Sequence, residues 1–158
     1  VRELGLHDYA LAGHSFGGGV ALNVTVDLLK GTTRGPSALL LLDAAAYETK
    51  LPFFIRALKI ALLPKLLFAL APSDLLARYT LNRLYFDRNK VTDEKVQRYS
   101  FFMSMPGNND ALVRTARQIS PQDWQHAGRY KEIRTPTLVL WGRQDTVLAL
   151  EQGARLSK

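Results

Sequence analysis

Apolar and polar positions along the chain fall into two alternating textures. Near the start, the apolar run Tyr9 to Ala12 gives way to Gly13-His14-Ser15-Phe16-Gly17-Gly18-Gly19. Apolar residues then return at helical spacing in Val20, Ala21, Leu22, Val24, Val26, Leu28 and Leu29. A short apolar run, a glycine break and a 3.6-residue period predict a buried strand, a tight turn and a helix. Two more short runs, Ala38 to Asp43 and Thr137 to Trp141, lack polar alternation, as parallel strands covered on both faces do. Strands separated by helices predict an α/β fold with three parallel strands and flanking helices. Val1 to Gly5 reads as a helix tail leading into the first strand.

Between about Glu48 and Ile133 the pattern becomes helical throughout. Leu51 to Leu70 is rich in Leu, Phe and Ala, but Arg56, Lys59, Pro64 and Lys65 interrupt it, so it cannot span a bilayer. Pro64 divides it into two short helices. Phe54, Leu58, Ala61 and Leu62 share one expected apolar face. Ser73-Asp74 opens another helix, Thr92 caps a further one, Pro106-Gly107-Asn108-Asn109 is a turn, and Ser120-Pro121 starts a last helix. The expected organisation is residues 1–48 as a first core segment, 49–133 as an all-helical insertion, and 134–158 as a second core segment.

The glycine-rich turn carries the chemistry. A serine hydroxyl is a weak nucleophile until a base takes its proton, so it must stand clear of the backbone beside oxyanion donors. A strained strand-to-helix turn places Ser15 there, at positive φ. Gly13 and Gly17, two residues to either side, are expected to lack a Cβ because the backbone folds closely around them. His14 sits inside the elbow, and the N–H of Phe16 is the expected oxyanion donor. G-x-S-x-G alone arises by chance in about one chain in twenty of this size. The strand before it and the helix after it supply the context the motif requires.

Gly13-His-Ser-Phe-Gly-Gly18, the second strand, the helical insertion and Pro136-Thr-Leu-Val-Leu-Trp-Gly-Arg-Gln-Asp145 together resemble the α/β-hydrolase family. The resemblance runs along the whole chain and implies a serine-nucleophile member with a helical cap. It implies that Gly142-Arg143-Gln144-Asp145 is the turn carrying the catalytic acid, Asp145, which follows Ser15 by 130 residues. Read alone, Asp145 is equally a turn residue or a helix cap. Asp43, also at a strand end, is the competing acid. The family's histidine lies on a loop after one more strand, and the histidines here are His7, His14 and His126. None occupies that place, so the catalytic histidine is expected outside the chain. The family's first four strands and its early oxyanion loop would likewise precede Val1, which makes the chain an internal piece with both sheet edges bare. On its own it is expected to be inactive.

Composition changes this picture little. The 158 residues are 47% hydrophobic and 22% charged, enough for a core. There is no cysteine, which excludes disulfides, thiolate metal sites and a thiol nucleophile. No oxidising compartment is indicated, and a cytoplasmic location is the default expectation. The net charge of +7 suggests nucleic acid, but the 21 basic residues are scattered among acids and form no stripe with interleaved aromatics. A solvated basic surface is the expectation, with no nucleic-acid partner. The alternative for the cationic, leucine-rich first helix of the insertion is to rest on a membrane surface as interfacial amphipathic helices do, but membrane contact is not the expectation.

The expected reaction is acyl transfer to water without metal or organic cofactor: Ser15 attacks a carbonyl carbon, the histidine moves the proton, and Asp145 holds the histidine. Phe53, Phe54, Phe68, Tyr85, Phe86, Phe101, Phe102 and Met103 either pack the cap's own core or shape a pocket. The expected partner is therefore a small molecule with an apolar or aromatic moiety. Carboxylic-ester hydrolysis leads. The alternatives are hydrolysis of a carbon–carbon bond in a ring-cleavage diketone and a non-catalytic binding piece.

Overall fold

The computed structural model describes residues 3–31 and 34–158. Of the expected helix tail, Val1 and Arg2 lie outside these, and Glu3 to Gly5 form a turn. The chain divides into two compact units, residues 1–49 with 121–158, and 50–120.

The first unit is built on three parallel strands, β1 (Ala10–His14), β2 (Ala38–Leu42) and β3 (Thr137–Leu140), in the order β1-β2-β3. Ala10 pairs with Ala38 and Leu39 with Thr137. Strand alternation sends Gly13, Leu39 and Leu41 to one face, where they are buried. Helix α1 (Phe16–Leu28) covers that face, and its Ala21, Leu22 and Val26 form one core with Leu41, Ala44, Ala46, Tyr47 and Tyr130. Thr25, buried in the same helix, satisfies its hydroxyl on the carbonyl of Ala21 at 2.8 Å. The alternate residues Ala10, Ala12, His14, Leu138 and Leu140 are exposed, Leu138 at 56%. The helical reading of the chain after β3 is met by α7 (Leu150–Leu156).

The boundary of the units differs at one end from the sequence pattern. The 3-10 segments Pro121–Trp124 and Ala127–Glu132 belong to the first unit. Tyr130 accounts for this: it stacks edge-on with Tyr47 at 5.9 Å and donates its hydroxyl proton to Asn23 Oδ1 on α1 at 3.0 Å. Those partners lie about 80 and 100 residues away, so no local pattern announces them.

The second unit contains helices α2 (Phe53–Leu58), α3 (Leu63–Leu70), α4 (Ser73–Leu84), α5 (Asp93–Ser104) and α6 (Asn108–Gln118), with a 3-10 segment at Arg88–Lys90. Pro64 sits in the first turn of α3, where its missing N–H leaves no bond unmade. Thr92 caps α5 by accepting the N–H of Lys95. A small core of Ala77, Leu81, Val91 and Val96 forms between α4 and α5, with Tyr85 and Met103 packed on it. The apolar face expected to continue through Ala61 and Leu62 stops at Leu58, because α2 ends there and Leu62 takes φ 66° as the residue preceding α3. Among the aromatic residues singled out in the sequence, Phe53, Phe86, Phe101 and Phe102 are exposed. Among the described residues no helix is long and apolar enough to cross a membrane.

Candidate active site

In parallel α/β sheets the carboxyl ends of the strands present loops and helix N-termini, and chemistry gathers there. Ser15, Asp43 and the Gly142–Asp145 turn all follow directly from the carboxyl ends of β1, β2 and β3.

Ser15 has φ 53° and ψ −121°, a conformation a non-glycine residue holds only where its surroundings enforce it. Those surroundings are visible in its hydrogen bonds. Its N–H donates to Leu42 O at 2.9 Å, extending the β1–β2 ladder by one rung. Its carbonyl accepts the N–H groups of Gly18 at 3.0 Å, Gly19 at 3.3 Å and Ala45 at 2.9 Å. Strand and helix thus meet at a single residue. The N–H of Phe16, first in the helix, has no carbonyl one turn earlier within α1.

The glycines divide differently from the sequence expectation. A Cβ on Gly13 would overlap the backbone of Gly17 and Gly18, as expected. A Cβ on Gly17 would meet nothing within 4 Å. The close approaches fall instead at Gly18, where a Cβ would lie 2.5 Å from Ala44 Cβ, and at Gly19, 2.6 Å from Ala45 O. The reason is the chain after β2: Ala44 and Ala45 press on the helix one and two residues beyond Gly17.

Asp145 lies in a turn closed by its own N–H donating to Gly142 O at 3.1 Å. Its Oδ1 accepts the N–H groups of Val147 at 2.7 Å and Leu148 at 2.9 Å. One carboxylate oxygen is thereby fixed, and Oδ2 has no partner among the described residues. A half-buried carboxylate so held can accept an imidazole N–H and stabilise its cation. Asp43 is engaged otherwise. It has φ 41°, and its Oδ1 accepts the N–H of Gly142 at 2.6 Å. Sequence reasoning raised Asp43 only as a rival acid and missed this bond, which links residues 99 positions apart.

No histidine is brought to Ser15. His7 and His14 are exposed, and His126 Nε2 lies 3.6 Å from Asp27 Oδ1 at the far end of α1. Twelve helical residues place Asp27 about 18 Å along the axis from the elbow. A cavity of about 620 Å³ opens on the α1 face of the sheet, lined among others by Leu22, Leu41, Tyr47, Tyr130, Val139 and Arg155, and neither Ser15 nor Asp145 lines it. Among the described residues no cluster of three or more His, Asp or Glu could hold a metal ion.

A family model described as "Alpha/beta hydrolase family" matches residues 1–158. The chain is 30% identical over 163 residues to a 2-hydroxy-6-oxo-6-phenylhexa-2,4-dienoate hydrolase of Burkholderia cepacia, covering 99% of this chain and 53% of that protein. It is 30% identical over 154 residues to a 2-hydroxy-6-oxononadienedioate/2-hydroxy-6-oxononatrienedioate hydrolase of Comamonas testosteroni, covering 97% of this chain and 52% of that one. Among solved structures, an alpha/beta hydrolase fold protein from Burkholderia ambifaria superposes with a TM-score of 0.79 at 21% identity, over 99% of this chain and 56% of the other. The chain spans about half the length of the curated relatives it matches.

Proposed function

This chain belongs to the alpha/beta hydrolase family, and from that premise we propose that it carries the nucleophile and the acid of a serine hydrolase. Ser15 attacks a carbonyl carbon, the N–H of Phe16 receives the oxyanion, and Asp145 orients a histidine supplied from outside these 158 residues. The observation that carries the reading is Ser15 at φ 53° between strand and helix, with its own backbone N–H and carbonyl both bonded and its hydroxyl unengaged among the described residues. Strain of this kind persists only where the fold over-determines it.

The relatives' names favour a particular bond. A 2-hydroxy-6-oxo-6-phenylhexadienoate contains a ketone, an enol and a carboxylate but no ester, so its hydrolysis breaks a carbon–carbon bond beside the ketone. We place that reaction first for the whole protein and carboxylic-ester hydrolysis second. In either case the Ser15 oxygen forms a bond to the carbonyl carbon, and the bond to the leaving carbon or oxygen breaks with its electron pair, which takes a proton from the histidine. Water then releases the acyl group. The substrate is a small molecule with an apolar or aromatic part, and no organic cofactor or metal takes part.

The test uses the full-length protein that contains these residues. A tagged fluorophosphonate, which reacts only with an activated serine, should label the wild type and not Ser15→Ala. Turnover of an aryl keto-dienoate exceeding that of a simple aryl ester supports carbon–carbon hydrolysis. The reverse ranking restores the ester reading. An unlabelled wild type means a non-catalytic module.

A further inference from the structure

The three residues Asp43 to Ala45 are bonded to both halves of the site. On one side, the N–H of Ala45 donates to Ser15 O at 2.9 Å, and Ala44 packs where Gly18 lacks a Cβ. On the other, the N–H of Asp43 donates to Leu140 O at 3.0 Å, and its carboxylate accepts the N–H of Gly142 at 2.6 Å. Asp43 therefore holds the chain at both Leu140 and Gly142, the residues that launch the Asp145 turn from β3. Gly142 in turn supplies the carbonyl that closes that turn on the Asp145 N–H. The φ of 41° at Asp43 is what allows one short segment to do both: the backbone continues the ladder to β3 and then reverses toward Ser15.

We infer that Asp43 is a positioning residue, which fixes the Asp145 turn relative to the Ser15 elbow through the Gly142 N–H. The inference rests on the serine-hydrolase reading above. Asp43 gives its Oδ1 to the Gly142 N–H, and the role inferred for it is to hold that turn rather than to touch the reacting atoms. An ionised carboxylate makes a short, strong bond to a backbone N–H, and the 2.6 Å separation fits that kind. A displacement of the acid of the order of 1 Å is enough to slow a reaction by about a hundredfold.

The experiment follows the rate of fluorophosphonate labelling at Ser15 against pH in the full-length protein, for wild type, Asp43→Gly, Asp43→Asn and Asp145→Asn. Asp43→Gly removes the carboxylate while tolerating the positive φ, so the chain keeps its path. Asp43→Asn keeps an oxygen acceptor for the Gly142 N–H. Labelling is expected to fall at least about tenfold in Asp43→Gly and to stay within about threefold of wild type in Asp43→Asn. The pH midpoint should also move down in Asp43→Gly, because a histidine less well held by Asp145 has a lower pKa. A purely structural role would lower thermal stability without moving that midpoint. Asp43→Gly labelling like wild type with an unchanged midpoint overturns the inference while leaving the serine-hydrolase reading in place. Asp43→Asn as slow as Asp145→Asn also overturns it and makes Asp43 a catalytic acid. A wild type that is never labelled removes both readings together.

Discussion

The indole of Trp141 lies directly against Gly153, so that a Cβ on the glycine would stand 2.6 Å from ring carbon Cε3. The same indole donates its N–H to Leu148 O at 2.9 Å. One side chain at the end of β3 thus secures the loop behind Asp145 and the start of α7. Gly153→Ala should therefore displace the ring. Overpacking of this sort costs about 1–3 kcal/mol, although alanine is the better helix former. Thermal unfolding of the variant should show a lowered midpoint, and an unchanged or raised one would mean that the ring moves freely.

The glycines of the elbow give a paired test. Gly13→Ala drives a methyl into the backbone of Gly17 and Gly18, which cannot yield without moving the turn. Gly17→Ala places the same methyl in open space at a helical position, where alanine gains up to about 1 kcal/mol. Gly13→Ala should unfold several degrees earlier than wild type, and Gly17→Ala at the same temperature or later. Equal destabilisation by the two would contradict the packing described.

Tyr130 predicts a pH dependence. Burial, reinforced by the neighbouring Tyr47, pushes its phenol from the ordinary 10 up to about 12. The folded state therefore retains the proton longer than the unfolded chain. The stabilisation is fully present below pH 10 and is lost as the pH rises through 12, with a slope set by the protons bound in each state. Tyr130→Phe forgoes the bond to Asn23 but carries no such dependence. Denaturant titrations between pH 8 and pH 12 should show the wild type losing stability relative to Tyr130→Phe only in the upper part of that range.

Asp145→Asn separates catalysis from folding. An amide oxygen can still accept from Val147 and Leu148, so the melting temperature should stay within a few degrees of wild type. If Asp145 holds the histidine, kcat of the full-length protein should fall by about 10⁴. A loss of less than tenfold would send the acid role elsewhere.

What the sequence makes legible is local. The runs at Tyr9, Ala38 and Thr137 mark all three strands to within a residue or two, because buried parallel strands need continuous apolar side chains. Pro64 and Thr92 mark helix starts because their signals act within one turn. Three other features depend on residues far apart. Gly18 rather than Gly17 is crowded because of Ala44, Asp43 meets Gly142, and Tyr130 finds Tyr47 and Asn23. The turn at Ser15 is legible because strand, turn and helix are contiguous there, whereas the contact of His126 with Asp27 joins residues 99 positions apart.

The registers of the sheet also set an order of events. Pairing of β1 with β2, as in the Ser37 to Tyr9 bond, closes 28 residues, whereas the Asp43 to Gly142 bond closes 99. Loop-closure entropy rises only with the logarithm of length, so the second closure is about 1 kcal/mol harder than the first. β3 is thus expected to dock last, after the intervening helices have been synthesised. Lengthening or shortening those helices would alter its docking only slightly, which makes residues 50–120 the part of the chain freest to change size while the strands keep their partners.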